Sequence, residues 1–331
     1  MTERLNQLHK WIATNLNTGD YTLTPASEDA SFRRYFRLQY DGKSFIIMDA
    51  PPEHEDCLRF IDIAARLQQA GANVPDIINK DIEQGFLLLT DLGSILYLQE
   101  LKKNNADQLY GDAINSLLSI QKKTVISGLP SYDEKLLRKE MQLFPDWLLE
   151  KHININLTGN QTGELQKIFD LLINVSLSQP GVFVHRDYHS RNLMYCPEDN
   201  PGIIDFQDAV IGPVTYDLVS LLKDAYIKWP EDFIKKWALA FFEKLQLDDV
   251  DSEQFLRWFD FMGVQRHLKV SGIFARLYHR DNKQGYLKDI PMTLSYITDL
   301  DNRYPELGFL IELINAEIYP KLNEANQQCV Q

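Results

Sequence analysis

Two short polar clusters hold the side chains of this chain best suited to chemistry. His185-Arg186-Asp187-Tyr188-His189-Ser190-Arg191-Asn192 follows the apolar run Val182-Phe183-Val184, and Asp205-Phe206-Gln207-Asp208 follows a second run, Gly202-Ile203-Ile204. Phosphoryl transfer from ATP needs such groups, because its loose transition state is stabilised mainly by positioning and charge neutralisation. Asp187 would orient the acceptor hydroxyl and take its proton, while the Asn192 amide oxygen and the Asp205 carboxylate are hard ligands suited to Mg²⁺. His185, Asp187 and Asn192 could instead merely cap a turn after a strand. A second strand ending in its own acidic cluster, at hairpin distance, argues against that reading.

The pattern resembles the catalytic loop of the aminoglycoside phosphotransferase-like family of small-molecule kinases, which share the protein-kinase fold. His189 stands two residues after the expected base, where protein kinases usually carry lysine and antibiotic and metabolite kinases often carry histidine. The likeness tightens over Asp205-Phe206-Gln207-Asp208-Ala209-Val210-Ile211-Gly212-Pro213 and over Gln265-Arg266-His267-Leu268-Lys269-Val270. These stretches look like bacterial anomeric sugar kinases. The resemblance implies an α+β, bilobal protein-kinase-like fold, with a small antiparallel-sheet N-terminal lobe carrying one helix and a larger, mainly helical C-terminal lobe. It also implies ATP and Mg²⁺ as cofactors, and an amino sugar phosphorylated at its C1 hydroxyl, N-acetylmuramate or N-acetylglucosamine, in cell-wall recycling. Asp217, at the start of a helical pattern, would cap that helix or, by resemblance, brace the catalytic loop together with His185. Asp208 is placed to meet acceptor hydroxyls.

The chain departs from the kinase pattern in two places. The turn Pro25-Ala26-Ser27-Glu28-Asp29-Ala30-Ser31 has no glycine to let backbone approach phosphate, so Ser31, Arg33 and Arg34 are the expected phosphate contacts. Met48 falls where the third strand of a kinase carries its phosphate-binding lysine. Either an arginine of the preceding loop compensates, or the protein is an inactive nucleotide-binding scaffold; the intact Asp187, Asn192 and Asp205 favour the first. Adenine would meet the backbone of Thr90, Asp91 and Leu92, between the lobes.

Arg266, Lys269, Arg276 and Arg280 share an arc of roughly 80° on one helix. Such a stripe repels polycationic antibiotics, the runner-up acceptors, and suits a carboxylate such as the lactyl group of N-acetylmuramate. Arg266 and Arg276 are the expected acceptor ligands; Lys269 and Arg280 read as solvated.

These groups must be positioned by flanking elements. Leu5, Leu8, Ile12 and Leu16 trace a leader helix. Strands follow at Tyr21 to Thr24, Tyr35 to Tyr40 and Ser44 to Met48, with Asp41-Gly42 as a turn. A helix ending at Gly71 and strands at Ile77-Ile78 and Phe86 to Thr90 complete a first lobe, residues 1–92. Residues 93–331 read as helical near 133–151, 164–178, 216–227, 233–245, 255–280 and 291–303. At 331 residues and 44% hydrophobic content the chain can bury a large core. Its net charge of −13 disfavours nucleic acid. Cys57, Cys196 and Cys329 suggest neither disulfide framework nor zinc site. With no apolar run of bilayer length and Glu3, Arg4 and Lys10 near the start, a soluble cytoplasmic protein is expected, with no membrane partner and no specified oligomeric state.

Overall fold

The computed structural model describes residues 3–27 and 32–329. Strands β1 (Thr22–Ser27), β2 (Arg34–Tyr40), β3 (Lys43–Asp49), β4 (Ile77–Asp81) and β5 (Phe86–Thr90) form an antiparallel sheet in the order β1-β2-β3-β5-β4. The β2–β3 turn places Asp41 and Gly42 at φ of 51° and 70°, the left-handed pair that a two-residue hairpin turn requires. Alternate residues of a strand point to opposite faces. Ile47, Phe86 and Leu88 therefore meet Leu8 and Ile12 of helix α1 (Glu3–Leu16). Met48, Leu87 and Leu89 lie on the other face, in one apolar cluster with Phe60, Ala64 and Leu67 of α2 (Cys57–Gln69). Cover on both faces explains why Phe86-Leu87-Leu88-Leu89 is uninterrupted by polar residues. Gly71 ends α2 at φ 81°, as its position in the sequence predicts.

That second cluster continues without a break into the helical remainder. There the helices are α3 (Tyr97–Glu100), α4 (Ala106–Lys123), α5 (Glu134–Met141), α6 (Gly159–Leu177), α7 (Tyr216–Leu222), α8 (Glu231–Leu245), α9 (Ser252–Asp281), α10 (Ile290–Thr298), α11 (Gly308–Leu313) and α12 (Tyr319–Cys329). Helix α9 runs through the centre, buried over most of its length. Among the described residues no helix is long and apolar enough to cross a membrane.

Several boundaries differ from the sequence pattern. The single helix expected over 133–151 is two: α5 stops at Met141, and a π-helical run, Phe144–His152, follows. Pro145 has no N–H to continue an α-helical ladder, and α9 passes so close that a Cβ at Gly272 would lie 2.3 Å from the Leu143 carbonyl carbon. The helices expected to reach 227 and 303 end at Leu222 and Thr298. In the first case Asp224 accepts the backbone N–H groups of Ser190 and Tyr226, so the chain turns toward the first polar cluster instead of continuing as helix.

The two apolar runs before the polar clusters do not pair with each other. Strand β6 (Gly181–Val184) pairs with β9 (Val210–Pro213), and β7 (Leu193–Met194) with β8 (Gly202–Ile203). This nesting leaves the β6–β7 and β8–β9 connections side by side, and these connections are the two polar clusters.

Candidate active site

The first connection is held in an unusual backbone shape. Arg186 sits at φ 80° and Asp205, in the second connection, at φ 63°, conformations that cost a non-glycine residue about 1–2 kcal/mol. Asp217, fully buried on α7, accepts the backbone N–H of His185 at 2.6 Å and of Arg186 at 3.0 Å. It braces the loop; no side-chain cap of its own helix is formed. Burial pushes its carboxyl up to about 7 despite these donors and Arg266. His185 joins the two clusters: Nε2–H donates to the Ile204 carbonyl at 3.1 Å, and Nδ1 accepts the Asp187 N–H at 3.2 Å. Burial lowers its pKa to about 4, which keeps the ring neutral and able to make both bonds.

Asn192 donates through Nδ2 to the Asp187 carbonyl at 3.0 Å and faces Asp205 Oδ2 at 3.5 Å. Gln207 holds the other Asp205 oxygen at 2.6 Å. The Asn192 amide nitrogen thus makes both bonds, to the Asp187 carbonyl and to Asp205, and Oδ1 is the atom of the same amide that can serve as a metal ligand. An amide and a carboxylate on adjoining loops fit Mg²⁺ in their chemistry, since it takes few protein oxygen ligands and completes its shell with phosphate and water. Among the described residues no group of three or more His, Cys, Asp or Glu offers another metal site.

The Asp187 side chain is 43% exposed, so it can be reached by an acceptor. Partial burial disfavours its charge, but Lys269, Arg266, His189 and Arg186 outweigh that and hold its carboxyl well below the usual range. It is therefore ionised and weakly basic. That suits orientation of a hydroxyl and proton acceptance late in a dissociative transfer.

The basic stripe divides. Arg266 is buried, donates to the Arg186 carbonyl at 2.7 Å and the Tyr216 hydroxyl at 3.2 Å, and stands 3.8 Å from Asp187. Its guanidinium is committed to the loop rather than open to an acceptor. Lys269 is not solvated as its spacing suggested: it is buried, 3.1 Å from Glu140 and 3.0 Å from Tyr216 Oη. Glu140 also receives Arg186 and the Tyr132 hydroxyl. Desolvation opposes its charge, but Lys269 and Arg186 prevail and lower its carboxyl. Sequence reasoning missed Glu140, since nothing local marks one acid of α5 as the counter-ion of a distant loop. Arg276 is half-buried, its Nε is shielded without a hydrogen-bond partner, and burial together with Arg280 lowers its pKa. Arg280 is exposed and pairs with Asp281. Asp208 is exposed at the end of the second cluster.

On the sheet, Ser31 lies outside the described residues. Arg33 pairs with Glu55 at 3.1 Å. Arg34 does not join it: with Arg4 of α1 it binds the buried Asp49, because the β2–β3 register puts residues 34 and 49 opposite each other. Thr90 exchanges bonds with Asp76 through its N–H and hydroxyl. The Asp91 carboxylate is taken by Arg37 at 2.7 Å and by Ser44, and the Leu92 carbonyl faces Cys196. The side chains of Thr90 and Asp91 are thus both engaged within the protein.

The profile of the phosphotransferase enzyme family matches residues 22–258. The chain belongs to that family. Relatives of this phosphotransferase include proteins named N-acetylmuramate/N-acetylglucosamine kinase. The one from Pseudomonas aeruginosa is 50% identical over 88% of this chain and 87% of its own. That of Pseudomonas putida is 47% identical over 94% and 96%, and that of Neisseria meningitidis serogroup B 40% over 95% and 97%. Among solved structures, choline kinase LicA from Streptococcus pneumoniae superposes with a TM-score of 0.62 at 13% identity, over 89% of this phosphotransferase and 99% of LicA. ADP-bound aminoglycoside phosphotransferase APH(2'')-Ib gives 0.59 at 14% identity, over 88% and 97%. The bilobal kinase-like fold expected from the sequence is therefore the fold of the molecule.

Proposed function

We propose that this phosphotransferase transfers the γ-phosphoryl group of ATP to the anomeric C1 hydroxyl of N-acetylmuramate, N-acetylglucosamine or both, in the cytoplasm, as a step of cell-wall recycling. Residues 1–92 bind nucleotide, and residues 93–331 carry the catalytic loop and the sugar site. Asp187 orients the hydroxyl and accepts its proton. Asn192 and Asp205 hold Mg²⁺, which neutralises phosphate charge when bound. Thr90, Asp91 and Leu92 meet the base through backbone; Asp208 and Arg276 meet the sugar. The observation that carries the reading is Asn192, bonded to the Asp187 carbonyl and 3.5 Å from Asp205. The names of the relatives support the acceptor.

An aminoglycoside acceptor is disfavoured by the cations around Asp187, namely Arg186, Arg266 and Lys269. The deciding experiment is a ³¹P spectrum of the product with N-acetylmuramate, N-acetylglucosamine, kanamycin and choline as competing acceptors. An anomeric phosphate on an amino sugar is expected. Turnover of kanamycin alone would overturn the acceptor, and no phosphorylated product with any acceptor, in a protein that binds ATP, would mark a scaffold.

A further inference from the structure

The kinase arrangement pairs a lysine on the third strand with a glutamate on the neighbouring helix, and the pair grips the α and β phosphates. In this chain both faces of that contact are apolar. Met48 of β3 is fully buried, and Phe60 of α2 packs on Phe206 of the second cluster with ring centroids 4.8 Å apart. A cation still has to meet the phosphates, and the sheet restricts where it can come from.

Six arginines belong to the N-terminal part, and their partners sort them. Arg4 and Arg34 are joined to Asp49, Arg37 to Asp91 and Arg66 to Asp62. Side-chain alternation puts Arg34 on the α1 face of the sheet and Tyr35, opposite Met48, on the α2 face. Arg33 reaches Glu55, two residues before α2, so it too is directed to the α2 face, where the C-terminal part closes the cluster. Both side chains of this ion pair are largely shielded, 11% and 16% exposed. Its members repeat the missing chemistry, one cation from the sheet and one carboxylate from the start of the helix, displaced by one strand and about one helical turn.

We propose that Arg33 is the cation that binds the nucleotide phosphates and that Glu55 is its positioning residue, a relocated form of the strand–helix ion pair. The inference rests on the kinase reading. Arginine suits the change: its planar, permanently charged fork matches the oxygens of a phosphate, which a lysine on β3 would meet as a point charge. The rival is Arg59 of α2, which among the described residues has no carboxylate partner and donates to the Ala209 carbonyl at 3.3 Å.

The test is equilibrium binding of ATP, ADP and adenosine without any acceptor sugar, with thermal unfolding of each variant. Arg33→Ala is expected to weaken ATP and ADP about 10- to 100-fold, the usual range for losing a bond to a charged group, with adenosine unchanged. Arg33→Lys should recover part of the loss, and Glu55→Gln should fall between wild type and Arg33→Ala. The proposal is overturned if Arg33→Ala keeps the wild-type preference for ATP over adenosine, or if Arg59→Ala loses it instead. It is also overturned if adenosine and ATP weaken together in Arg33→Lys and Glu55→Gln, since the pair would then be only a strut. Wild-type protein that binds none of the three overturns the kinase reading beneath it. Wild-type binding that meets no active acceptor leaves the pair supported and removes only the sugar.

Discussion

Asp217 Oδ1 receives the backbone N–H of Arg186 at 3.0 Å, and Arg186 is the residue at which the β6–β7 loop takes its left-handed step. A side chain buried on α7 therefore sets the direction in which Asp187 leaves the next residue. Asp217→Asn would keep one acceptor oxygen and turn an NH₂ toward the second N–H. The expected cost is about 1–3 kcal/mol of stability, together with a kcat that falls more than the KM for ATP rises. Urea unfolding and steady-state kinetics check both. Unchanged kcat in a folded variant would remove the bracing role.

Glu140, Lys269 and Arg186 form a shielded charge cluster against the loop. Removing Glu140 leaves two cations without their counter-ion, so Glu140→Gln should lose about 3–5 kcal/mol; Lys269→Met, which leaves Glu140 paired with Arg186, should lose less. The double variant should lose less than the sum of the two, because both remove the same interaction. Strict additivity in denaturant midpoints would show that the two residues do not depend on each other.

Acid stability should report on His267. Its ring is buried, lies stacked on Tyr296, and donates through Nε2 to the Lys223 carbonyl at 3.0 Å. Burial holds its pKa at about 3, below the value near 6.5 of an unfolded chain. The folded state thus binds fewer protons than the unfolded one between these values. The contribution is intact above about pH 6.5 and is lost as pH falls toward 3, reaching about 2 kcal/mol by pH 5. His267→Gln, which can still donate to the carbonyl, should show a shallower loss of stability between pH 7 and 5 than wild type. Parallel curves would refute the assignment.

Arg276 is the member of the basic stripe left without a hydrogen-bond partner at a shielded nitrogen. If it receives the lactyl carboxylate, Arg276→Ala should raise KM for N-acetylmuramate about 10- to 100-fold. N-acetylglucosamine, which has no carboxylate, should be spared. Competition between the two sugars measures this directly, and an equal effect on both would place Arg276 outside the acceptor site.

Legibility along the chain followed the range of the interactions. Asp41-Gly42 and Gly71 announce their turns because the left-handed backbone they adopt is a property of one or two residues. The β6–β9 and β7–β8 pairing was not legible: two-residue strands carry almost no periodicity, and the apolar runs at 182–184 and 202–204 suit several partners equally. The break between α5 and the π-helical run had a visible cause in Pro145, yet its form depends on α9 passing over Leu143.

By itself, the sequence determined which groups are proposed to react. Asp187, Asn192 and Asp205 stand in contiguous clusters behind apolar runs, and their chemistry follows from residue type and short spacing. Only the tertiary structure decided which group each cation is bound to. Arg33, Arg34, Arg266 and Lys269 are equivalent charges on a line of text. Their partners, Glu55, Asp49, the Arg186 carbonyl and Glu140, come from distant segments. A charge in low-dielectric surroundings takes the nearest carboxylate or carbonyl that the fold brings to it, and that neighbour is set by sheet register and helix packing rather than by position along the chain.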